Sequence, residues 1–131
     1  MTLILGAGQT VWHNGLGSEM ILIADGNGNL SGTYESQVGA ADGPMPLCGK
    51  YNPDEIYPSL GWVVQWKKIN GKLPEKCKGW TTTAWSAQLI KDSNPTKIKA
   101  TWTLTKQTEA ADSWKDTLVG CGEFTLVTPD E

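Results

Sequence analysis

Apolar and polar residues alternate along almost the whole chain. In Lys97 to Lys106, KIKATWTLTK, one face carries Ile98, Ala100, Trp102 and Leu104, while the other carries Lys97, Lys99, Thr101, Thr103 and Thr105. Leu60, Trp62, Val64 and Trp66 share a face in LGWVVQWK, as do Thr81, Thr83, Trp85, Ala87 and Leu89 further on. A period of two places successive side chains on opposite sides of a pleated strand. No segment sustains the 3.6-residue period of a helix. The pattern predicts eight strands, at about 10–14, 18–24, 30–37, 45–51, 59–68, 79–91, 96–106 and 117–127. Turn chemistry separates them: DGNGN at Asp25 to Asn29 is a hairpin signal, and DSNP at Asp92 to Pro95 is a second turn. Ile69 to Lys78 reads as a long polar loop, and Gln107 to Asp116 as a loop with room for one helical turn. Short links and even spacing favour an up-and-down order. Eight antiparallel strands with one apolar face close into a barrel, whose interior holds one small ligand. The fold class is therefore all-β, an eight-stranded antiparallel up-and-down barrel, in a single domain over residues 1–131 with its core at about 10–128.

Composition narrows the function. The 131 residues carry a net charge of -3, and the basic residues do not cluster, which speaks against nucleic acid as a partner. The longest apolar stretch, Met20 to Ala24, is far short of the roughly 20 residues of a membrane helix, so no membrane association is expected. The first ten residues lack a signal-peptide pattern; a cytoplasmic location is expected if the chain is complete and a secreted one if it is processed. The three cysteines, Cys48, Cys77 and Cys121, match no zinc spacing, and no metal site is expected. Free thiols are expected, with Cys48 packing within its strand and a Cys48–Cys77 bridge not favoured.

Seven Trp stand against one Phe. Each indole brings an N–H that needs a partner when buried, so seven suggest a lined cavity as well as a filled core. The predicted inward faces gather Trp62, Trp66, Trp85, Trp102 and Leu104 with Tyr34, Ser36, Thr81 and Thr83, while Asn14, Leu16 and Ser18 alternate near the start. Hydroxyl and amide groups on an otherwise aromatic face fit a small-molecule pocket better than plain core, where they would lack partners. Catalytic sets are missing: the single His13 falls on the face opposite Trp12 and Asn14, and no nucleophile triad, metalloprotease motif or phosphate loop occurs. A binding protein without enzymatic activity or cofactor is expected.

The segments WHNGLGS at 12–18, GTYESQVG at 32–39, PLCGKY at 46–51, LGWVVQW at 60–66, TTTAWSAQ at 81–88, TWTLT at 101–105 and SWKDTLVGCGEF at 113–124 resemble, in order, those of the avidin and streptavidin family of biotin-binding barrels. The resemblance implies a role in binding and sequestering biotin. It assigns Asn14, Ser18 and Tyr34 as donors to the ureido oxygen of biotin, and Ser36 as acceptor for one ureido N–H. Thr83 matches the hydroxyl at the thioether sulfur. Trp66, Trp85 and Trp102 match the walls around the bicyclic ring, and Leu16 and Leu104 match apolar contacts. Val38, Gly39 and Ala40 match the loop over the valerate, Thr81 a second carboxylate contact, and Trp114 the indole that reaches a neighbouring subunit's pocket. A homotetramer is implied, with dimers known in the family. Cys121 matches a position near a subunit two-fold.

One departure stands out. Gly122 occupies the position where the family has Asp or Asn to accept the other ureido N–H. Glu123 is one residue along and points to the other face. An N–H left without its acceptor costs about 1–3 kcal/mol, or one to two decades in affinity. Biotin binding weaker than that of the family's tightest members is the expectation. The alternative is a barrel whose pocket serves another small ligand, or which acts mainly as an oligomeric scaffold.

Overall fold

The computed structural model describes residues 7–36, 44–66, 81–91, 94–106 and 117–128. They form eight strands: β1 (Ala7–Asn14), β2 (Glu19–Asp25), β3 (Asn29–Glu35), β4 (Met45–Tyr51), β5 (Ser59–Trp66), β6 (Thr81–Ile90), β7 (Lys97–Lys106) and β8 (Thr117–Val127). Each pairs antiparallel with its neighbours in sequence, and β1 pairs with β8 to close the barrel. The eight expected strands are all present. Their ends differ by up to three residues, because ladder hydrogen bonds decide where a strand stops and hydropathy does not. The loop at 69–78 and the helical turn considered within 107–116 lie outside the described residues, as does Cys77.

Alternation becomes burial strand by strand. β6 is the clearest case: Thr81, Thr83, Trp85, Ala87 and Leu89 are buried, while Ala84, Ser86 and Gln88 are exposed. Trp12, Met20, Leu22, Val64, Leu89 and Ile98 lose essentially all contact with solvent. Burying each such side chain contributes about 1.5–3 kcal/mol, which offsets the entropy of ordering a chain dominated by non-local contacts. At Gly32 the strand is tight: φ is +144°, and a Cβ there would stand 1.8 Å from the carbonyl oxygen of Ile21 on β2. Only glycine fits.

The two poles of the barrel differ. At one, the β2–β3 turn is held by Asp25, whose carboxylate accepts from the backbone N–H of Asn27 (2.7 Å) and Asn29 (3.0 Å) and from the Asn29 side chain (2.6 Å). The buried Tyr51 hydroxyl accepts from the Gly26 N–H at 2.8 Å and ties that turn to β4. The other pole carries the β1–β2 turn and the ends of β3, β5 and β7, and it is the pole at which the polar interior residues collect.

Cys48 and Cys121 are free and exposed on the barrel's exterior. This corrects the expectation of Cys48 as a packing residue: its inward neighbour on β4, Leu47, takes the core position, so the pleat turns Cys48 outward. His13 is exposed as expected, and its Nε2 lies 3.0 Å from Glu19 Oε2, its cross-strand partner.

Candidate functional site

The site begins in the turn that joins β1 to β2. Asn14 ends β1, and Gly15, Leu16 and Gly17 turn the chain, with Gly17 at φ +86°. The Asn14 side-chain oxygen accepts from the backbone N–H of Leu16 (3.0 Å) and Ser18 (2.9 Å). Two backbone donors on Oδ1 fix the orientation of the amide. Its Nδ2 must then face inward, where it lies 3.4 Å from the Tyr34 hydroxyl. Tyr34 and Ser18 are buried, and their hydroxyls are hydrogen-bonded to each other. Burial pushes the Tyr34 phenol above its usual range, and the hydrogen bonds with Ser18 and Asn14 pull part of the way back. The phenol is therefore neutral at ordinary pH and keeps a proton to donate. Three donors, one amide and two hydroxyls, converge there, two of them on buried residues. That arrangement stabilises a partly charged acceptor oxygen more strongly than water does.

Behind the donors stands a column of rings. Tyr34 stacks on Trp85 at 5.0 Å with 28° between planes, and Trp85 stacks on Trp62 at 5.5 Å with 17°. Trp66 meets Tyr34 edge-on at 5.6 Å, and Phe124 meets both Tyr34 (6.0 Å) and Trp62 (5.8 Å). Each such pair contributes about 0.5–1.5 kcal/mol beyond area burial. The register explains the assembly: Trp62, Trp85 and Trp102 face one another across β5, β6 and β7, and Gly120 on β8 completes the row. A Cβ at Gly120 would lie 2.2 Å from the Trp102 ring, so the glycine makes room for that indole.

Thr83 is buried on β6 and accepts the Trp66 indole N–H at 2.9 Å, which leaves its own hydroxyl proton available to a guest. Thr81 is buried two residues nearer the pole of the β1–β2 turn, and Trp102 and Leu104 are half-buried on the inward face of β7. Ser36 follows β3 and is half-buried. The structure thus brings together Asn14, Ser18, Tyr34, Trp66, Thr81, Thr83, Trp85, Trp102 and Leu104. Leu16 departs from the expectation. The alternation read through Asn14, Leu16 and Ser18 breaks at the turn, and Leu16 sits on the rim with 65% of its surface exposed. Val38, Gly39, Ala40 and Trp114 lie outside the described residues.

Gly122 is on the inward face of β8, opposite Ala100 and two residues before Phe124, which pairs with Asn14. A Cβ at Gly122 would meet no described atom within 4 Å. The exposed Gly122 thus sits two residues along β8 from the strand partner of Asn14. Phe124 and Leu118 were not among the expected site residues. Both share the parity of Gly120 and Gly122, with Phe124 buried and Leu118, paired with Leu104, exposed, so strand parity alone was the signal that could have found them. Among the described residues no group of three or more His, Cys, Asp or Glu stands close enough to hold a metal ion.

Residues 6–127 match the family model described as the Avidin family.

Proposed function

The chain belongs to the avidin family, and from that premise we propose that it binds biotin without chemical turnover, at the donor cluster of Asn14, Ser18 and Tyr34. The observation that carries this reading is the convergence of those three donors at one end of the Tyr34–Trp85–Trp62 stack. A cyclic urea suits it chemically. Its carbonyl oxygen accepts from all three donors, and its fused ring slides against flat indole faces. Thr83 offers a hydroxyl at the depth of the ring, and Trp66 and Trp102 wall it. Ser36 accepts one ureido N–H, and Gly122 offers no acceptor for the other. Binding is therefore weaker than with a carboxylate at that position, by about one to two decades.

Towards the rim, the valerate carboxylate meets Thr81 and the segment of Val38, Gly39 and Ala40. Trp114 completes the pocket of a neighbouring subunit in a homotetramer, which links binding to assembly. A second reading, a pocket turned to a different small ligand, is favoured by one observation: the open space at Gly122.

Calorimetric titration with biotin, with Trp fluorescence followed on the same samples, tests the proposal. One biotin per chain with a change in indole emission supports it. Binding no tighter than high micromolar overturns it in favour of the second reading.

A further inference from the structure

The chain carries three Asn-Gly steps, at Asn14, Asn27 and Asn70. Asn70 lies outside the described residues. An asparagine followed by glycine is open to attack on its side-chain amide by the next backbone nitrogen, because glycine puts no Cβ in the way. At Asn14 the surroundings favour that attack. Its Oδ1 accepts from the backbone N–H of Leu16 (3.0 Å) and of Ser18 (2.9 Å). These bonds fold the side chain back over the turn, and the ring closed through the Leu16 N–H contains both Cγ and the Gly15 nitrogen. Two donors on one carbonyl oxygen polarise it, and they stand where negative charge forms when a nucleophile adds to Cγ. Nδ2 lies 3.4 Å from the Tyr34 hydroxyl, a proton source for a departing nitrogen. The Gly15 N–H has no hydrogen-bond partner among the described residues, and Gly15, Leu16 and Gly17 are exposed. Asn27 differs: no described N–H donates to its side-chain oxygen, and Gly28 is buried at φ +100° against the Tyr51 carbonyl oxygen.

We propose that Asn14 is a self-modification site: the Gly15 nitrogen attacks Asn14 Cγ, ammonia leaves, and the side chain becomes an acid. The Gly15 nitrogen gives its proton to solvent as the new C–N bond forms, and the charge on Oδ1 is held by the Leu16 and Ser18 N–H groups. The Cγ–Nδ2 bond then breaks. Nδ2 departs as ammonia with a proton that the Tyr34 hydroxyl supplies and regains from solvent. Water opens the five-membered imide at either carbonyl, leaving an aspartyl or an isoaspartyl residue. Water enters, ammonia leaves, and nothing is oxidised or reduced. The product carries a carboxylate where the inward amide donor stood. On the biotin reading, on which this consequence alone rests, that carboxylate repels the ureido oxygen, so the donor cluster loses its ligand as the protein ages.

Gly15 provides the control. A Cβ there would meet nothing within 4 Å, and the backbone is not left-handed, so Gly15→Ala and Gly15→Val keep the turn and crowd only the attack. The full chain and both variants are incubated in mildly alkaline buffer, and peptide masses read amide-to-acid conversion at Asn14 and Asn27 separately. Asn14 is expected to convert first, and faster as pH rises. Each Gly15 variant is expected to slow it by about tenfold or more. Calorimetry on the same samples is expected to show converted chains binding biotin about tenfold more weakly or worse. Asn14 intact while Asn27 converts, or conversion at Asn14 unmoved by both variants, overturns the modification site and leaves the biotin reading untouched. Converted chains that bind biotin as fresh ones do overturn the loss of ligand. Fresh protein that does not bind biotin overturns the biotin reading, while the peptide masses still decide the modification.

Discussion

The indole N–H of Trp66 donates to Oγ1 of Thr83 across 2.9 Å, joining the last residue of β5 to the buried face of β6. Thr83→Val removes the acceptor and keeps the shape. The half-buried indole then loses its partner, at a cost of about 1–3 kcal/mol in unfolding free energy. Thr83→Ser restores it. Urea denaturation of the three proteins reads the difference, and equal midpoints for Val and wild type would remove the bond from any structural role.

Tyr34→Phe deletes one of the three converging donors and leaves the stack on Trp85 in place. Biotin affinity is expected to fall by about 1–2 kcal/mol, close to tenfold, in calorimetry. An unchanged affinity would argue against the assigned pose.

Asn14 does two things, and two substitutions separate them. Asn14→Asp keeps the oxygen that holds the Leu16 and Ser18 N–H groups and gives up the inward donor. It should melt near wild type and bind biotin about tenfold more weakly or worse. Asn14→Ala loses the turn as well, and its melting temperature is expected to drop by roughly 3–6 °C for about 1 kcal/mol. Matching melting curves for the two variants would show that the turn does not depend on Oδ1.

Tyr34 also sets an alkaline limit. Its folded-state pKa is raised above the ordinary 10.0, chiefly by burial. The unfolded chain therefore releases this proton first as pH rises. The stability tied to the neutral phenol is complete below pH 10 and is lost as pH climbs from there through the folded value. Urea midpoints measured from about pH 8 to 11 should fall more steeply in wild type than in Tyr34→Phe. Parallel curves would assign the alkaline loss to other groups.

Two glycines two residues apart on β8 should respond in opposite ways. Gly122→Asp enters open space and supplies an acceptor, so biotin affinity is expected to rise by about one to two decades. Gly120→Ala drives a methyl into the Trp102 ring, so affinity should fall and indole emission should change. Calorimetry and fluorescence on the pair check both, and a rise for Gly120→Ala would contradict the crowding at Trp102.

Much of this was legible in the chain because a barrel interior obeys one rule, alternation. KIKATWTLTK and TTTAWSAQLI announce their inward residues directly, and both faces match the burial found. Leu16 was misplaced because the rule ends where a turn begins, and the turn is held by a side chain, Asn14, that looks like any strand-end polar residue. Phe124 and Trp62 illustrate a second limit. Phe124 meets Tyr34 and Trp62, about 90 and about 60 residues away in sequence, and no local pattern reports which rings meet across a closed sheet. The exterior position of Cys48 needed only parity, and the general tendency of cysteine to be buried obscured it.

Barrel closure by β1 and β8 has a practical corollary. Ala7 pairs with Asp25 at the β2–β3 turn, and Val127 pairs with Val11. Ala7 therefore lies at the end of β1 away from Asn14, while Val127 lies beside the middle of that strand. A label placed at Ala7 would therefore stand at the opposite end of β1 from the donor cluster of Asn14, Ser18 and Tyr34.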